Sequence, residues 1–119
     1  MSAWLIDGEP ADQLPVADRG FQYGDGLFET IALREGQARF LDDHLSRLEA
    51  GLRRLAIPAG AAAVAAAEVE RLASGVVFGI AKIIVTRGSG QRGYRPARPC
   101  RLAVAGPGGW RQVHGAQLV

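Results

Sequence analysis

The stretch VTRGSGQRGYRP, from Val85 to Pro96, combines glycines, arginines and a tyrosine directly after the most apolar run of the chain. Its glycines match the G-x-G-x-x-G pattern of dinucleotide-binding loops. Such a loop opens a helix whose N-terminus binds the pyrophosphate, and an acidic residue follows about 20 residues later. Here the prolines of YRPARP forbid that helix, no acidic residue occurs after Glu70, and the chain has no Gly-Lys-Ser/Thr loop. The pattern therefore argues against nucleotide binding of this type.

The arginines of this region could instead bind another anion, and a nucleic acid is one candidate. Of the 14 basic residues, six precede Glu70 and eight follow it, whereas all 12 acidic residues lie at or before Glu70. Arginines with Tyr94 among them could follow a phosphate backbone and stack a base. Against this, a nucleic-acid-binding sheet usually exposes more than one aromatic residue, and no predicted helix is basic along one face.

A pocket for a small carboxylate is the interpretation that the residue chemistry favours. An arginine binds a carboxylate through two parallel hydrogen bonds, and a nearby tyrosine hydroxyl can add a third donor. A glycine-rich loop lets a flat ligand approach the backbone. The excess of arginine over the single lysine, with abundant alanine and glycine, is also typical of a genome-wide composition bias. The residues alone do not name the ligand.

Lys82 is the only lysine, and it lies inside the apolar run. Burial could make its amine nucleophilic enough to form a Schiff base. In the alternative, its stem packs in a strand while its ammonium group reaches the edge of the sheet or a carboxylate. Composition favours this structural alternative.

Length and composition predict one folded domain in the cytoplasm. The chain has 119 residues, of which 48% are hydrophobic and 22% charged, which excludes a disordered chain. The longest apolar run, Val76 to Val85, is about half of what a membrane span requires, and no signal peptide is indicated. One cysteine excludes an internal disulfide framework, and with only two histidines a structural zinc site is not expected. We expect no metal, no nucleic-acid partner and no membrane partner.

The first half of the hydrophobic pattern predicts strands followed by a helix. A strand ends in the Asp-Gly turn of WLIDGEP, the stretch LPVADRGFQYGDG is loop-like, and period-two alternation over 28–33 predicts a hairpin through REGQ to a strand over 38–41. Asp42 is the predicted N-cap of a helix that Pro58 ends. Its apolar stripe consists of leucines at helical spacing: Leu45, Leu48, Leu52 and Leu55.

The second half adds one helix and two strands. An alanine-rich helix runs from Ala61 to about Ala73 and ends at a Ser-Gly pair. The run VVFGIAKIIVT is too uniformly apolar for a half-exposed strand, so it is predicted to be buried on both faces. The sequence CRLAVA predicts a last strand. The order ββ-αα-ββ indicates an α+β domain with helices on one side of a sheet.

Three stretches together resemble the signatures of fold-type IV pyridoxal-phosphate enzymes. They are DRGFQYGDGLFET (18–30), HLSRL (44–48) and TRGSGQRGY (86–94), in the order and spacing of that family. The family includes branched-chain and D-amino-acid aminotransferases and 4-amino-4-deoxychorismate lyase, and the form R-G-S-G-x-R-G-Y most resembles the lyase. The resemblance implies the N-terminal α/β sandwich domain of this fold, with a mixed or antiparallel sheet and two helices. It also implies pyridoxal 5'-phosphate as cofactor and a homodimer.

The resemblance assigns roles to four residues. The arginine of H-L-x-R-L contacts the cofactor phosphate, which points to Arg47. The second arginine and the tyrosine of the glycine-rich loop bind substrate carboxylate, which points to Arg92 and Tyr94, and this loop can serve the partner subunit's active site. Phe28 lines the pocket. D-amino-acid aminotransferases typically have tyrosine at that position, so phenylalanine weighs against them.

The resemblance also implies what lies outside the chain. The family's Schiff-base lysine belongs to a second domain, and Lys82 does not match it, so no catalytic residue is expected here. We expect 1–106 to form the N-terminal small domain. Residues 107–119, with the linker-like GPGGW, would lead into a C-terminal cofactor-binding domain.

The implied activity is the conversion of 4-amino-4-deoxychorismate to 4-aminobenzoate and pyruvate in folate biosynthesis, with the chain inactive alone. The alternatives are an aminotransferase of the same fold and a non-catalytic module that binds an anion or nucleic acid.

Overall fold

The computed structural model of the chain describes residues 2–58, 60–91, 95–96 and 100–107. Six strands form one sheet: β1 (Ser2–Ile6), β2 (Glu9–Pro10), β3 (Gly26–Arg34), β4 (Gln37–Ala38), β5 (Phe78–Thr86) and, numbered in chain order, β8 (Arg101–Pro107). Their order across the sheet is β2-β1-β8-β5-β3-β4, and every neighbouring pair is antiparallel. A separate two-stranded ribbon consists of β6 (Gly90–Gln91) and β7 (Arg95–Pro96). The described helices are α1 (Arg19–Tyr23), α2 (Leu41–Arg54) and α3 (Gly60–Ala73).

One face of the sheet packs against α2 and α3, and this interface is the hydrophobic core. Because successive strand side chains point to opposite faces, alternate residues of β3, β5 and β8 face the helices. The fully or almost fully buried strand residues of the core are Ile31, Leu33, Ala81, Ile83, Val85 and Val104. The predicted leucine stripe of α2 is confirmed: Leu48 and Leu52 are completely buried, and Leu45 and Leu55 pack against the core from its margin. The α+β class with the two long helices on one side is confirmed as well.

The opposite face of the sheet, which we call the open face, is largely uncovered in this chain. On β5, Phe78 is 73% exposed and Ile80 is 58% exposed, and Lys82 and Ile84 are half-buried. The prediction that this strand is buried on both faces was therefore wrong. The uniform apolar run cannot reveal that the helices cover one face only, because periodicity is absent when both faces carry apolar residues.

The two tight hairpin turns are confirmed by backbone geometry. Asp7 and Gly8 have positive φ angles of 50° and 85°, and Glu35 and Gly36 have 50° and 79°. Such consecutive positive φ angles fit two-residue turns whose twist matches that of the flanking strands. The first turn joins β1 to β2, and the second joins β3 to β4.

The start of α2 differs from the prediction. Phe40 is the N-cap, with a φ of 54° and no side-chain cap, and Asp42 lies in the first turn together with Asp43. Carboxylates in the first turn still stabilise the helix through its dipole. The helix ends at Arg54, and Ala56 adopts a φ of 53° before Pro58.

The helix α1 lies in the stretch predicted to be a loop. Its N-cap is Asp18, whose side chain accepts a hydrogen bond from the Phe21 amide, and Gly24 ends it with a φ of 66°. Five residues are too few to show helical periodicity, which is why the pattern did not reveal it.

None of the helices in the described part of the chain is long and apolar enough to cross a membrane. Pro107 is the last residue of β8, and the predicted linker beyond it lies outside the described residues.

Truncating one side chain on each face of β5 tests the one-sided core. Ile83→Ala removes a completely buried side chain, so the free energy of unfolding should fall by about 2–5 kcal/mol. Ile80→Ala on the open face of the same strand should change it by no more than about 0.5 kcal/mol. Urea unfolding of the chain measures both values. Equal losses would mean that the two faces of the strand are buried alike.

Candidate functional site

The stretches that carry the three sequence signatures meet at the end of the sheet where β3 begins and β5 ends. Residues of the first signature contact residues at the start of the third in one group of polar contacts, and a residue of the first contacts the second in another. In the first group the arginines are mostly buried and cross-link segments of the chain. In the second group the arginine side chain is mostly exposed.

The carboxylate of Asp18 joins the first stretch to the third. It is completely buried and accepts hydrogen bonds from the Thr86 hydroxyl and from Nη1 of Arg101, both at 2.9 Å. The Arg19 amide donates to the Gly88 carbonyl at 2.9 Å, so backbone contacts run alongside the side-chain contacts. These bonds fix the base of the glycine-rich loop against the segment that precedes β3.

A second carboxylate, that of Asp25, binds two arginines. Nε of Arg87 donates to it at 2.8 Å and Nε of Arg19 at 3.0 Å. The remaining nitrogens of the Arg87 guanidinium donate to the backbone carbonyls of Leu55 and Ala56 at the end of α2. Arg87, the first arginine of the glycine-rich stretch, is therefore a structural cross-link. Its role differs from the carboxylate binding that the resemblance assigns to Arg92, the second arginine.

Two glycines of the first stretch make this close approach possible. A side chain at Gly20 would collide with the side chain of Thr86, and one at Gly26 would collide with the backbone carbonyl of Val85. Both positions require glycine because another strand lies directly against the backbone.

Glu29 connects the first stretch to the second. Its side chain is only 3% exposed and lies on the helix-facing side of β3. Oε1 accepts from Nε of Arg47 and Oε2 from Nη2 of Arg47, both at 2.6 Å, and His44 Nδ1 lies 2.7 Å from Oε2. The Arg47 side chain is nevertheless 73% exposed. A buried carboxylate thus holds an arginine whose other edge faces solvent.

The electrostatics follow from these contacts. The hydrogen bond from Arg47 lowers the pKa of Glu29 below its usual value, with a further contribution from His44, and together they outweigh the opposing effect of burial. For Asp25, burial raises the pKa, but the hydrogen bonds from Arg87 and Arg19 outweigh it and the net shift is downward. Glu29 raises the pKa of Arg47. The carboxylates of Glu29 and Asp25 and the guanidinium of Arg47 are therefore charged at neutral pH.

The open face near this end of the sheet carries Phe28 and Lys82. Phe28 is 61% exposed, and Nζ of Lys82 lies 4.8 Å from the centre of its ring, within the range of a cation–π contact. The stem of Lys82 is half-buried in the sheet, as the structural alternative predicted, but its ammonium group meets an aromatic ring. Thr30 pairs with Lys82 in the register and lies on the same face.

The predicted site residues are placed as follows. Arg47 belongs to α2 and lies on the helix side of β3, whereas Phe28 projects from β3 on the open face, so the domain does not bring them into contact. Among the described residues, β4 pairs only with Leu33 and Arg34 of β3. In the part of the chain that the structure describes, no strand therefore pairs with the edge of β3 beside Phe28 and Glu29 on the side away from β5. Arg92 and Tyr94 lie outside the described residues, between the paired strands β6 and β7.

Sequence reasoning missed Glu29, although a signal was present. It occupies a helix-facing position in a row of apolar residues: Leu27, Ile31 and Leu33. A carboxylate in such a row must have a partner, because an unpaired buried charge is very costly. Arg47, in the helix that follows β3 and β4 in the chain, is the partner that the structure gives to Glu29.

Two further features of the described residues do not add to this site. A recess of about 170 Å³ on the open face is lined mainly by Trp4, Ile6, Leu14 and Ile84, with Arg101 at its margin. It contains none of the predicted site residues. No group of three or more His, Cys, Asp or Glu side chains that could hold a metal occurs in the part of the chain that is described.

Comparison with known proteins assigns the class of protein. A family model described as amino-transferase class IV matches residues 26–108. The chain belongs to this family.

Two curated relatives share one name within that class. The aminodeoxychorismate lyase of Vibrio harveyi is 36% identical over 97 residues, which are 77% of this chain and 34% of the relative. The aminodeoxychorismate lyase of Bacillus subtilis (strain 168) is 52% identical over 40 residues, 34% of this chain and 14% of the relative. The chain therefore spans about a third of the length of the first.

Solved structures agree on the fold. The 4-amino-4-deoxychorismate lyase of Pseudomonas aeruginosa is 46% identical, with a TM-score of 0.74 over 94% of this chain and 41% of that protein. A hypothetical aminotransferase from Mycobacterium tuberculosis, solved in a PLP-bound form, is 26% identical, with a TM-score of 0.63 over 90% of this chain and 40% of that protein. The prediction of a fold-type IV domain resembling the lyase is confirmed.

The lowered pKa of Glu29 predicts how acid destabilises the chain. A depressed folded-state pKa means that the ionised Glu29 stabilises the fold above its ordinary pKa of 4.5, and that this stabilisation is lost as the pH falls through the lower folded value. The free energy of unfolding of Glu29→Gln should therefore fall less than that of the wild type below pH 4.5.

Chemical denaturation at a series of pH values measures this difference. Glu49→Gln, which removes an exposed carboxylate of α2, is the control and should follow the wild-type curve. If Glu29→Gln also followed the wild-type curve, Arg47 would not be stabilising the Glu29 carboxylate.

Proposed function

We propose that the chain provides part of the active site of a pyridoxal-phosphate-dependent lyase that converts 4-amino-4-deoxychorismate to 4-aminobenzoate and pyruvate, a step towards folate. The observation that carries this proposal is the solvent-facing guanidinium of Arg47, held by a buried carboxylate beside the first strand of the site. The identity of 46% to a lyase of known structure supports the lyase over other members of the family.

The donors at this position fit one contact to the cofactor phosphate. Glu29 occupies Nε and one hydrogen of Nη2 of Arg47, and Nη1 has no acceptor among the described residues. A phosphate oxygen accepts from such an arginine edge in a charge-assisted hydrogen bond. When bound, pyridoxal phosphate supplies the electron sink that the reaction requires. Arg47 holds the phosphate and takes no part in proton transfer.

The substrate carries carboxylates, and the open face offers groups to bind them. The Lys82 ammonium lies against the ring of Phe28, in a place where an anion could pair with it. Phe28 supplies an exposed apolar surface for the substrate ring. We assign Arg92 and Tyr94, which lie between β6 and β7 in the sequence, as further carboxylate donors that serve the active site of the partner subunit in a homodimer.

Arg47 and Phe28 lie on opposite faces of β3, and this constrains how a ligand meets both. The edge of β3 that β4 leaves unpaired is the route between them. We propose that the combined ligand crosses this edge, with its phosphate end on the helix side and its carboxylate end on the open face.

The lysine that bonds to the cofactor lies, in this proposal, in a C-terminal domain that follows a linker over 107–119. We propose that Lys82 is not that lysine and that its ammonium, which lies against the Phe28 ring on the open face, serves the substrate instead. The chain by itself should not shift the absorbance band of added pyridoxal phosphate to longer wavelength, as a Schiff base with a lysine would, and should show no activity.

An aminotransferase of the same fold is the second candidate. The Mycobacterium tuberculosis aminotransferase, at 26% identity, favours it. The two reactions differ in product, because only the lyase releases pyruvate from 4-amino-4-deoxychorismate.

A chimera tests the proposal, with this chain in place of the matching part of the Pseudomonas aeruginosa lyase. It should bind pyridoxal phosphate and release pyruvate. Arg47→Ala should weaken cofactor binding about tenfold or more, because a charge-assisted hydrogen bond is lost. Arg53→Ala, which removes an exposed arginine of the same helix, is the control. A chimera that binds the cofactor and transfers an amino group to a keto acid without releasing pyruvate would favour the aminotransferase.

A second variant of the chimera tests the open face. Lys82→Met keeps an apolar stem in the sheet and removes the ammonium, so KM for the substrate should rise about tenfold with a smaller change in kcat. Steady-state kinetics of pyruvate release measure both constants. An unchanged KM would remove Lys82 from the substrate site.

A further inference from the structure

The group formed by Glu29, Arg47 and His44 has an unusual division between buried and exposed parts. Glu29 is 3% exposed and His44 is 19% exposed, whereas Arg47 is 73% exposed. Both oxygens of the carboxylate are occupied, one by Arg47 alone and one by Arg47 and His44 together. The polar network is therefore anchored in the protein and ends at the surface in the guanidinium of Arg47.

The contacts with Glu29 determine which nitrogens of Arg47 are available to bind a ligand. The two bonds at 2.6 Å engage Nε and Nη2, and this planar fork allows one orientation of the guanidinium. A free arginine at the surface would sample many rotamers, and a ligand that ordered it would lose binding energy in doing so. Here the side chain is ordered in advance, with Nη1 directed away from the carboxylate.

His44 fixes the carboxylate in turn. It lies three residues before Arg47 on α2, so both side chains project from the same side of the helix towards β3. The contact of 2.7 Å between its Nδ1 and Oε2 adds a second partner to the oxygen that also accepts from Nη2 of Arg47.

We infer that Glu29 is a positioning residue, which together with His44 fixes the Arg47 guanidinium so that its outer edge is presented to a phosphate group. This inference rests on the proposed phosphate contact of Arg47. Glu29 itself touches neither the cofactor nor the substrate.

The negative charge of Glu29 and its positioning role predict opposite changes in phosphate affinity when the carboxylate is removed. The inference can therefore be tested. A carboxylate next to a phosphate site repels the phosphate, so its removal would strengthen binding if charge alone mattered. If Glu29 fixes the guanidinium, its removal weakens binding although a repulsive charge has been lost. Glu29→Gln is the decisive variant, because the amide keeps the shape but can accept only part of the arginine fork.

The experiment titrates inorganic phosphate into the 119-residue chain and follows the arginine side-chain signals by nitrogen-15 NMR. The Arg47 signals should shift with phosphate, and Glu29→Gln should weaken the apparent Kd about tenfold, the loss expected when an ionic hydrogen bond is no longer well placed. Glu68→Gln is the matched control, since Glu68 is a buried carboxylate paired with Arg71 at 3.3 Å on α3. Its phosphate affinity should equal that of the wild type.

Two further measurements keep the inference testable if Glu29→Gln fails to fold. In the wild-type chain, the Nε–H of Arg47 should exchange with water more slowly than that of Arg53, which has no acidic partner among the described residues. Arg47→Lys keeps the positive charge but loses the fork, and its phosphate affinity should also fall about tenfold.

The outcomes separate this inference from the proposal beneath it. Equal or tighter phosphate binding by Glu29→Gln, fast exchange of the Arg47 Nε–H, or full affinity in Arg47→Lys would each overturn the positioning role and leave the phosphate contact intact. If the Arg47 signals did not respond to phosphate at all, the phosphate contact itself would be wrong, and the positioning role would fail with it.

Discussion

The completely buried carboxylate of Asp18 is the constraint on which the arrangement of this domain depends. An ionised carboxylate removed from water is strongly destabilising unless hydrogen-bond donors surround it. Its donors come from the start of α1, the end of β5 and the start of β8, three segments far apart in the sequence. The chain must bring these segments together to fold, and in doing so it fixes where the glycine-rich loop leaves the sheet.

The ion pairs of the domain fall into two kinds, and the exposure of the cation distinguishes them. The arginines that meet Asp18 and Asp25 are mostly buried: Arg101 is 13% exposed, and Arg87 and Arg19 are each 24% exposed. Their donors are directed into the protein, so they cross-link segments. Arg47 also pairs with a buried carboxylate, that of Glu29, yet its own side chain remains mostly exposed. The same ion-pair chemistry therefore cross-links segments of the chain in one place and leaves one edge of a guanidinium facing solvent in the other.

The sequence predicted those parts of the fold that rest on local patterns. The leucine stripe of α2, both tight turns and the general order of strands and helices along the chain follow from spacing within a short window. The order of the strands across the sheet was not predicted, because it depends on pairings between distant parts of the sequence. The two-sided burial of β5 was wrong, because the cover of a strand depends on which elements pack on each face, and α1 was missed because five residues carry no period.

Sequence patterns predicted less of the candidate site than of the fold. Arg47 lies away from the leucine stripe, and only the resemblance of HLSRL to a family signature identified it. Its partner Glu29 was visible as a charge in an apolar row, but the identity of the partner depends on how α2 packs over β3. Lys82 met an aromatic ring on the open face, a contact that requires the register of two strands separated by two helices.

The pairing of β1 with β8 has a consequence for how the chain acquires its structure during synthesis. These strands pair along the whole of β1, from Ser2 opposite Pro107 to Ile6 opposite Ala103, and Asp7 and Leu102 add further bonds. Among the described residues, β1 therefore has no partner strand except β2 until β8, near the other end of the described chain, has been synthesised. Closing so long a loop carries an entropic cost and makes the step slow. The N-terminal hairpin is thus among the last parts of the sheet to dock, and until then β8 is an open edge.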